Sequence, residues 1–213
     1  MKRLMPAPTS PAGKLLELIV IVLLALGFAL AIQAWVVKPY RIPSGSMEPT
    51  LDIGQRVLAN RFIYNFKDPS IGDIVVFHPP LPANHEAPGL GPSGQCGVNF
   101  SSLEACPVAS KEEADNNFIK RIVAGPGDRL AVRQGHPVVN GVVKADEPYT
   151  MPCGTGGVCD LPRTITIPPG HYFLMGDNRG ASDDSRFWGP IPRDWIIGEA
   201  FATYWPPDRL GIF

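Results

Sequence analysis

The chain has 213 residues, 45 % of them hydrophobic and 18 % charged, with 10 Phe, 5 Tyr and 4 Trp available for packing. That is enough length for one or two domains, and enough apolar surface to offset chain entropy, which excludes disorder as the overall state. Net charge is −1, but Lys2, Arg3 and Lys14 precede every acidic residue, so residues 17–213 hold 16 basic against 20 acidic groups, or −4, the reverse of what a nucleic-acid binder needs.

In chain order, the first element is apolar. Leu18–Val37, LIVIVLLALGFALAIQAWVV, carries no charge and one strongly polar residue, Gln33. At 1.5 Å per residue it reaches about 30 Å, the thickness of a bilayer core, and a transmembrane helix is expected over 17–38. The basic tail 1–16 before it and the interfacial aromatics Trp35 and Tyr40 after it put the N-terminus in the cytoplasm and the rest of the chain outside, as a single-span protein. The competing reading is a cleaved signal peptide, since Ala29-Leu30-Ala31 satisfies the small-x-small rule, although signal-peptide cores run only about 7–15 residues.

Either way, residues 38–213 face an oxidising compartment. Cys96/Cys106 and Cys153/Cys159 are separated by nine and five residues, unlike the C-x₂₋₄-C units of zinc sites. Local disulfides are expected. Of three connectivities, sequential pairing is favoured because each pair brackets a short loop.

Short apolar and β-branched runs follow: 56–60, 73–78, 118–124, 129–133, 137–143, 163–167, 171–175 and 199–204. Turn signals separate them. Gly125-Pro126-Gly127-Asp128 and Pro168-Pro169-Gly170 make corners, and Asn140-Gly141 between valine pairs is a strong hairpin signal. With 22 Gly and 24 Pro in the chain, this reads as an all-β, antiparallel fold rather than a helical bundle. Residues 79–117 show no period and are expected to be a surface insertion.

Three segments offer chemistry. In Ser44-Gly45-Ser46-Met47-Glu48-Pro49, between Pro43 and Pro49, a constrained loop displays Ser46; the plain alternative is a serine-rich turn. In Phe118-Ile119-Lys120-Arg121, Lys120 shares a strand face with Phe118 and Ile122, a setting that lowers its pKa; the alternative is an edge lysine that blocks aggregation. In Gly176–Gly189, eight polar or charged residues crowd one loop, either as a solvated turn or as a shell in which Ser182 bonds a neutral lysine while Asp184 and Arg186 pair. His78 and His171 fall at strand ends, and His85 and His136 in loops. No G-x-S-x-G, S-x-x-K or H-E-x-x-H motif is present, which argues against α/β-hydrolase, β-lactamase and zinc-protease arrangements.

Together, and in this order after an apolar anchor, these segments closely resemble the bacterial type I signal peptidases. The likeness covers most of residues 15–213 and rests on Ser44–Met47 with Pro49-Thr50, Phe118–Arg121 with Gly125–Asp128, and Gly176–Arg179 with Ser182, Asp184, Ser185 and Arg186. It implies a Ser46 nucleophile activated by a neutral Lys120, with Ser182 orienting the amine. The oxyanion would meet the Ser46 N–H and the Ser44 hydroxyl. Asp184 and Arg186 would buttress the loop, helped by Asp177 and Arg179, and Tyr40, Ile42, Pro43, Met47, Phe118 and Ile119 match positions that line pockets for small side chains one and three residues before the cut.

The resemblance also implies a catalytic β-domain over 39–134 and 171–213, a smaller β-domain inserted at 135–170, and a location in the bacterial cell membrane. Preproteins bearing signal peptides and the bilayer are its expected partners, with no cofactor, metal or nucleic acid, as a monomer. Cys153/Cys159 resembles a disulfide of some members, whereas the 79–117 insertion has no counterpart. Geometry agrees: Ser46 lies nine residues past Val37, at most about 30 Å of chain, so it stays near the membrane surface. A dedicated maturation peptidase of the same chemistry and a non-catalytic tethered β-domain are the other readings.

Overall fold

The computed structural model describes residues 11–84, 96, 98, 103–109, 111–143, 148–154 and 159–213. A long helix, α1 (Pro11–Trp35), opens the chain. Among the described residues it is the helix long and apolar enough to cross a membrane, and none of its Gly13–Leu30 stretch is buried in the protein. An apolar helix with no buried face needs a non-aqueous neighbour. It starts earlier and stops sooner than 17–38, because Pro11 suits a first helical position while the β-branched pair Val36-Val37 and then Pro39 end it.

The chain then forms strands β1 (Val37–Arg41), β2 (Arg56–Asn60), β3 (Ile74–Phe77) and β4 (Phe118–Ala124). Next come β5 (Arg129–Arg133), β6 (His136–Val139), β7 (Val142–Val143) and β8 (Leu161–Thr166). After β9 (His171–Met175) a one-turn helix, α2 (Ser185–Trp188), precedes β10 (Ile191–Pro192), β11 (Ile196–Trp205) and β12 (Gly211–Ile212).

One sheet has eight strands in the order β1-β2-β11-β3-β4-β9-β10, with β12 on β11; the other has four, β7-β6-β5-β8. All these pairings are antiparallel, as the alternating, turn-punctuated sequence requires. The strand β1 was hidden in the sequence by its proximity to the anchor. The chain leaves the large sheet at the Gly125–Asp128 turn, where Gly127 takes φ +82°, and returns one strand over at β9. In the small sheet Asn140 and Gly141 adopt φ +53° and +84°, the left-handed pair of a type I′ hairpin.

Three buried clusters fix the arrangement. One joins the sheets through Val123, Leu130, Val132, Ile165, Phe173 and Met175. A second, with Ile42, Met47, Leu51, Val57, Ile74 and Ile119, lies under the Ser46 turn. A third packs Phe77, Ile122, Leu174 and Trp188.

Two disulfides, Cys96–Cys106 and Cys153–Cys159, have the sequential connectivity. The described part of 79–117 is pinned rather than loose. Its Cys106 N–H donates to Arg186 O at 3.1 Å, and Leu103 O accepts from Arg163 N at 2.9 Å, so it touches both α2 and the small sheet.

Candidate active site

The loop after β1 is held at its base by the bonds Ile42 N→Gln55 O and Gly54 N→Ile42 O, both 2.8 Å. A short turn at Gly45–Met47 then drives Met47, fully buried, into the second cluster, which lifts the neighbouring Ser46 hydroxyl toward β4. From the far side the loop after β9 clasps the same turn: Asn178 N donates to Ser46 O, and Asn178 Nδ2 to Gly45 O, each at 3.1 Å.

On β4, Lys120 is 4 % exposed, so it is not an edge lysine. Its amine donates to Ser46 Oγ at 2.6 Å and stands 5.6 Å from the Phe118 ring centre. Burial lowers its pKa from an ordinary 10.5 to about 8; the carboxylates of Asp184, Asp183 and Asp177 pull upward, and Arg186 pushes down. A neutral amine bonded to a hydroxyl can take its proton.

The third segment is a buried lattice of charges. The guanidinium of Arg186 donates to both Asp184 carboxylate oxygens at 2.8 and 3.0 Å, and Asp184 also accepts from the Gly176 N–H at 3.0 Å. Burial pushes the Asp184 carboxyl up, but the Arg186 charge and these bonds prevail and hold it below its usual range. The Arg186 side chain also reaches the carbonyl of Arg179 at 2.7 Å, and Arg179 Nε that of Gly176 at 3.0 Å. Asp177 is gripped on both oxygens by Arg121, at 2.8 and 2.6 Å, and receives the Thr50 hydroxyl at 2.6 Å. Arg121 and Thr50 stood inside the motif segments but were given no role there. The strand register brings Arg121 to Asp177, because β4 pairs with β9 at Arg121 and Met175, two residues before Asp177.

Ser182 is placed beside this centre, since a Cβ built on Gly176 would sit 2.3 Å from Ser182 Oγ and 2.4 Å from Ser46 O. Its hydroxyl nevertheless has no hydrogen-bond partner among the described residues, although it is near enough to Asp184 to help hold that carboxyl down. The expected bond from Ser182 to the Lys120 amine is therefore not made here.

Ser46 and Lys120 open into a cleft of about 460 Å³ whose wall includes Pro43, Ser44, Phe118 and Ile119 and, among the described residues, no histidine. Ser44 Oγ is 3.4 Å from Ser46 Oγ. Of the other expected pocket residues, Ile42 and Met47 lie in the core beneath the cleft, and Tyr40 packs partly buried against the same cluster. The side chains of His78 and His171 bond backbone carbonyls, and His85 lies outside the described residues.

An antiparallel β-fold that holds a serine hydroxyl on a buried amine has the groups of a serine hydrolase side by side. Residues 15–205 match the model of the signal peptidase family, peptidase S26. The chain is 34 % identical to a probable signal peptidase I-2 of Synechocystis, over 95 % of this chain and 78 % of that protein. It is 30 % identical to signal peptidase I of Pseudomonas aeruginosa, over 85 % and 70 %, and 37 % identical to thylakoidal processing peptidase 1 of Arabidopsis thaliana, over 81 % and 43 %. The chain belongs to the signal peptidase family: it is a membrane-anchored serine endopeptidase that removes signal peptides from preproteins.

Proposed function

We propose that Ser46 is the nucleophile and Lys120 the general base of this peptidase. What carries the reading is the 2.6 Å bond between Lys120 Nζ and Ser46 Oγ inside a cleft. With Lys120 neutral, its amine takes the Ser46 proton as Oγ attacks the scissile carbonyl. The oxyanion is met by the Ser46 N–H and the Ser44 hydroxyl. The Lys120 ammonium then protonates the departing amine, leaving an acyl-enzyme, and the amine next deprotonates the water that hydrolyses it. Ser182, Asp177, Arg179, Asp184 and Arg186 hold the third side of the site.

Substrate entry follows from the sheet. Phe118–Lys120 pair with β3 on one side, while β4 meets β9 only from Arg121 onward. That half-strand edge faces the cleft, and a preprotein segment can add to it as a strand, with small side chains admitted toward Pro43 and Ile119. The helix α1 spans the membrane with Lys2, Arg3 and Lys14 on the cytoplasmic side, and the strands form the exported part. The small sheet is an insertion in the larger one.

Ser46→Ala and Lys120→Ala, each purified as full-length protein, are expected to insert and fold yet lose preprotein cleavage by at least about 10³-fold. N-terminal sequencing of the product fixes the cut. Turnover retained in Lys120→Ala would remove the lysine from its role.

A further inference from the structure

In the proposed reaction the oxyanion meets the Ser44 hydroxyl and the Ser46 N–H. The second donor is a backbone group, so its direction is that of the peptide plane it belongs to. In a trans peptide the carbonyl and the following N–H point in opposite directions from one rigid plane. The Gly45 carbonyl and the Ser46 N–H therefore form a single unit, and whatever holds the first aims the second.

Gly45 O accepts from two donors: the Glu48 N–H at 3.2 Å, inside the same turn, and Asn178 Nδ2 at 3.1 Å, from the loop after β9. The Glu48 bond travels with the turn, whereas the Asn178 bond ties the turn to the rest of the site. Glycine on one side of this peptide gives it little resistance to rotation, which makes an outside hold useful. The Asn178 backbone is fixed independently of its side chain. Its N–H donates to Ser46 O and its carbonyl accepts from Ala181 N, each at 3.1 Å, and the residue lies opposite Met151 in a parallel bridge. Replacing the side chain thus deletes the bond to Gly45 O while those backbone bonds stay.

We propose that Asn178 is the positioning residue of the oxyanion hole: its amide pins the Gly45 carbonyl and so fixes the Ser46 N–H in the direction of the developing oxyanion. The inference deepens the reading of Ser46 as nucleophile and rests on it. A donor aimed in advance acts most when the scissile carbonyl oxygen gains its charge, so its loss lowers kcat and leaves binding of the uncut substrate alone. Asn178 is uncharged, so its loss also leaves the protonation of Lys120 where it was.

The test uses the full-length enzyme in detergent, an internally quenched peptide with alanine one and three residues before the cut, and a peptide aldehyde ending in alanine, whose adduct with Ser46 Oγ places an oxygen where the oxyanion forms. Asn178→Ala is expected to lower kcat by about 10- to 10²-fold, short of the roughly 10²–10³-fold that deleting a donor outright costs, with KM within about twofold and the acid limb of the pH profile unmoved. The inhibition constant of the aldehyde should rise by the factor by which kcat/KM falls. In a Ser46→Ala background, affinity for the uncut peptide should be the same with Asn or Ala at 178. Asn178→Asp, nearly identical in size, turns an acceptor toward Gly45 O and should lose at least as much on the plateau above the acid limb, which keeps the inference testable if the alanine variant does not fold. Either variant keeping kcat within about threefold overturns the role. So does a loss matched by weaker binding of the uncut peptide, or one that leaves aldehyde affinity unchanged, since both mark a slackened site rather than a misaimed donor. Cleavage retained by Ser46→Ala is a separate outcome, which overturns the nucleophile itself.

Discussion

Burial makes the Lys120 ammonium expensive, and the same burial makes its amine useful. The difference between an ordinary 10.5 and about 8 corresponds to roughly 3 kcal/mol against the charged form. Below about pH 8 the folded protein carries that whole cost. Between about 8 and 10.5 the unfolded chain binds more protons than the folded one, so stability climbs with pH, and above 10.5 the cost is gone. Lys120→Met removes the titrating group at similar length. It is expected to abolish cleavage and to raise stability at pH 7 by roughly 1–3 kcal/mol, a gain that fades toward pH 10.5; denaturant unfolding at pH 7 and pH 10 checks both the sign and the window. Activity of the wild type should rise through an acid limb near pH 8. A profile that peaks near pH 5 would contradict a neutral-amine base.

At the scale of elements, the site is made where three chain segments meet, and the closest meeting is at Gly176. A methyl there would collide with Ser182 Oγ and with Ser46 O at 2.3 and 2.4 Å, and Ser46 O belongs to a backbone held by Asn178. Either the nucleophile turn or the Ser182 segment must shift. Displacements of about 1 Å cost roughly 10²-fold in rate, so Gly176→Ala is expected to lower kcat/KM by that order. Gly211→Ala, which meets open space at a φ outside the left-handed region, should leave activity unchanged.

The same segments show what could be read in advance. Strand β4 was legible to the residue, because Phe118–Ala124 sets aromatic and β-branched residues on both sides of Lys120-Arg121 and ends at the Gly125-Pro126 turn signal, and the Asn140-Gly141 hairpin was legible because two left-handed residues in series suit few sequences. The grip of Arg121 on Asp177 was not, since it depends on a strand register 56 residues away. Nor was the burial of Ile42 and Met47: an apolar residue next to a catalytic loop looks the same in sequence whether it floors a cleft or lines it.

The whole molecule couples a β-fold to a helix whose Gly13–Leu30 stretch buries nothing against it, and the physical sense of that helix is concentration. Val36 O accepts from Arg61 N at 2.9 Å, so the first residue after α1 is already part of the sheet's hydrogen bonding and little slack separates anchor from site. If α1 lies in the same bilayer as the preprotein's own apolar signal segment, encounter becomes two-dimensional, and tethering of this kind raises apparent affinity by roughly 10²–10⁴ without a new contact. A chain beginning at Val36 keeps every strand and all three buried clusters. It is expected to cut a short soluble peptide within about threefold of the full-length rate, yet to lose about 10²-fold or more on a preprotein reconstituted in vesicles. Equal loss on both substrates would mean that the helix supports the fold itself, and equal retention would mean that the membrane does not concentrate the reaction.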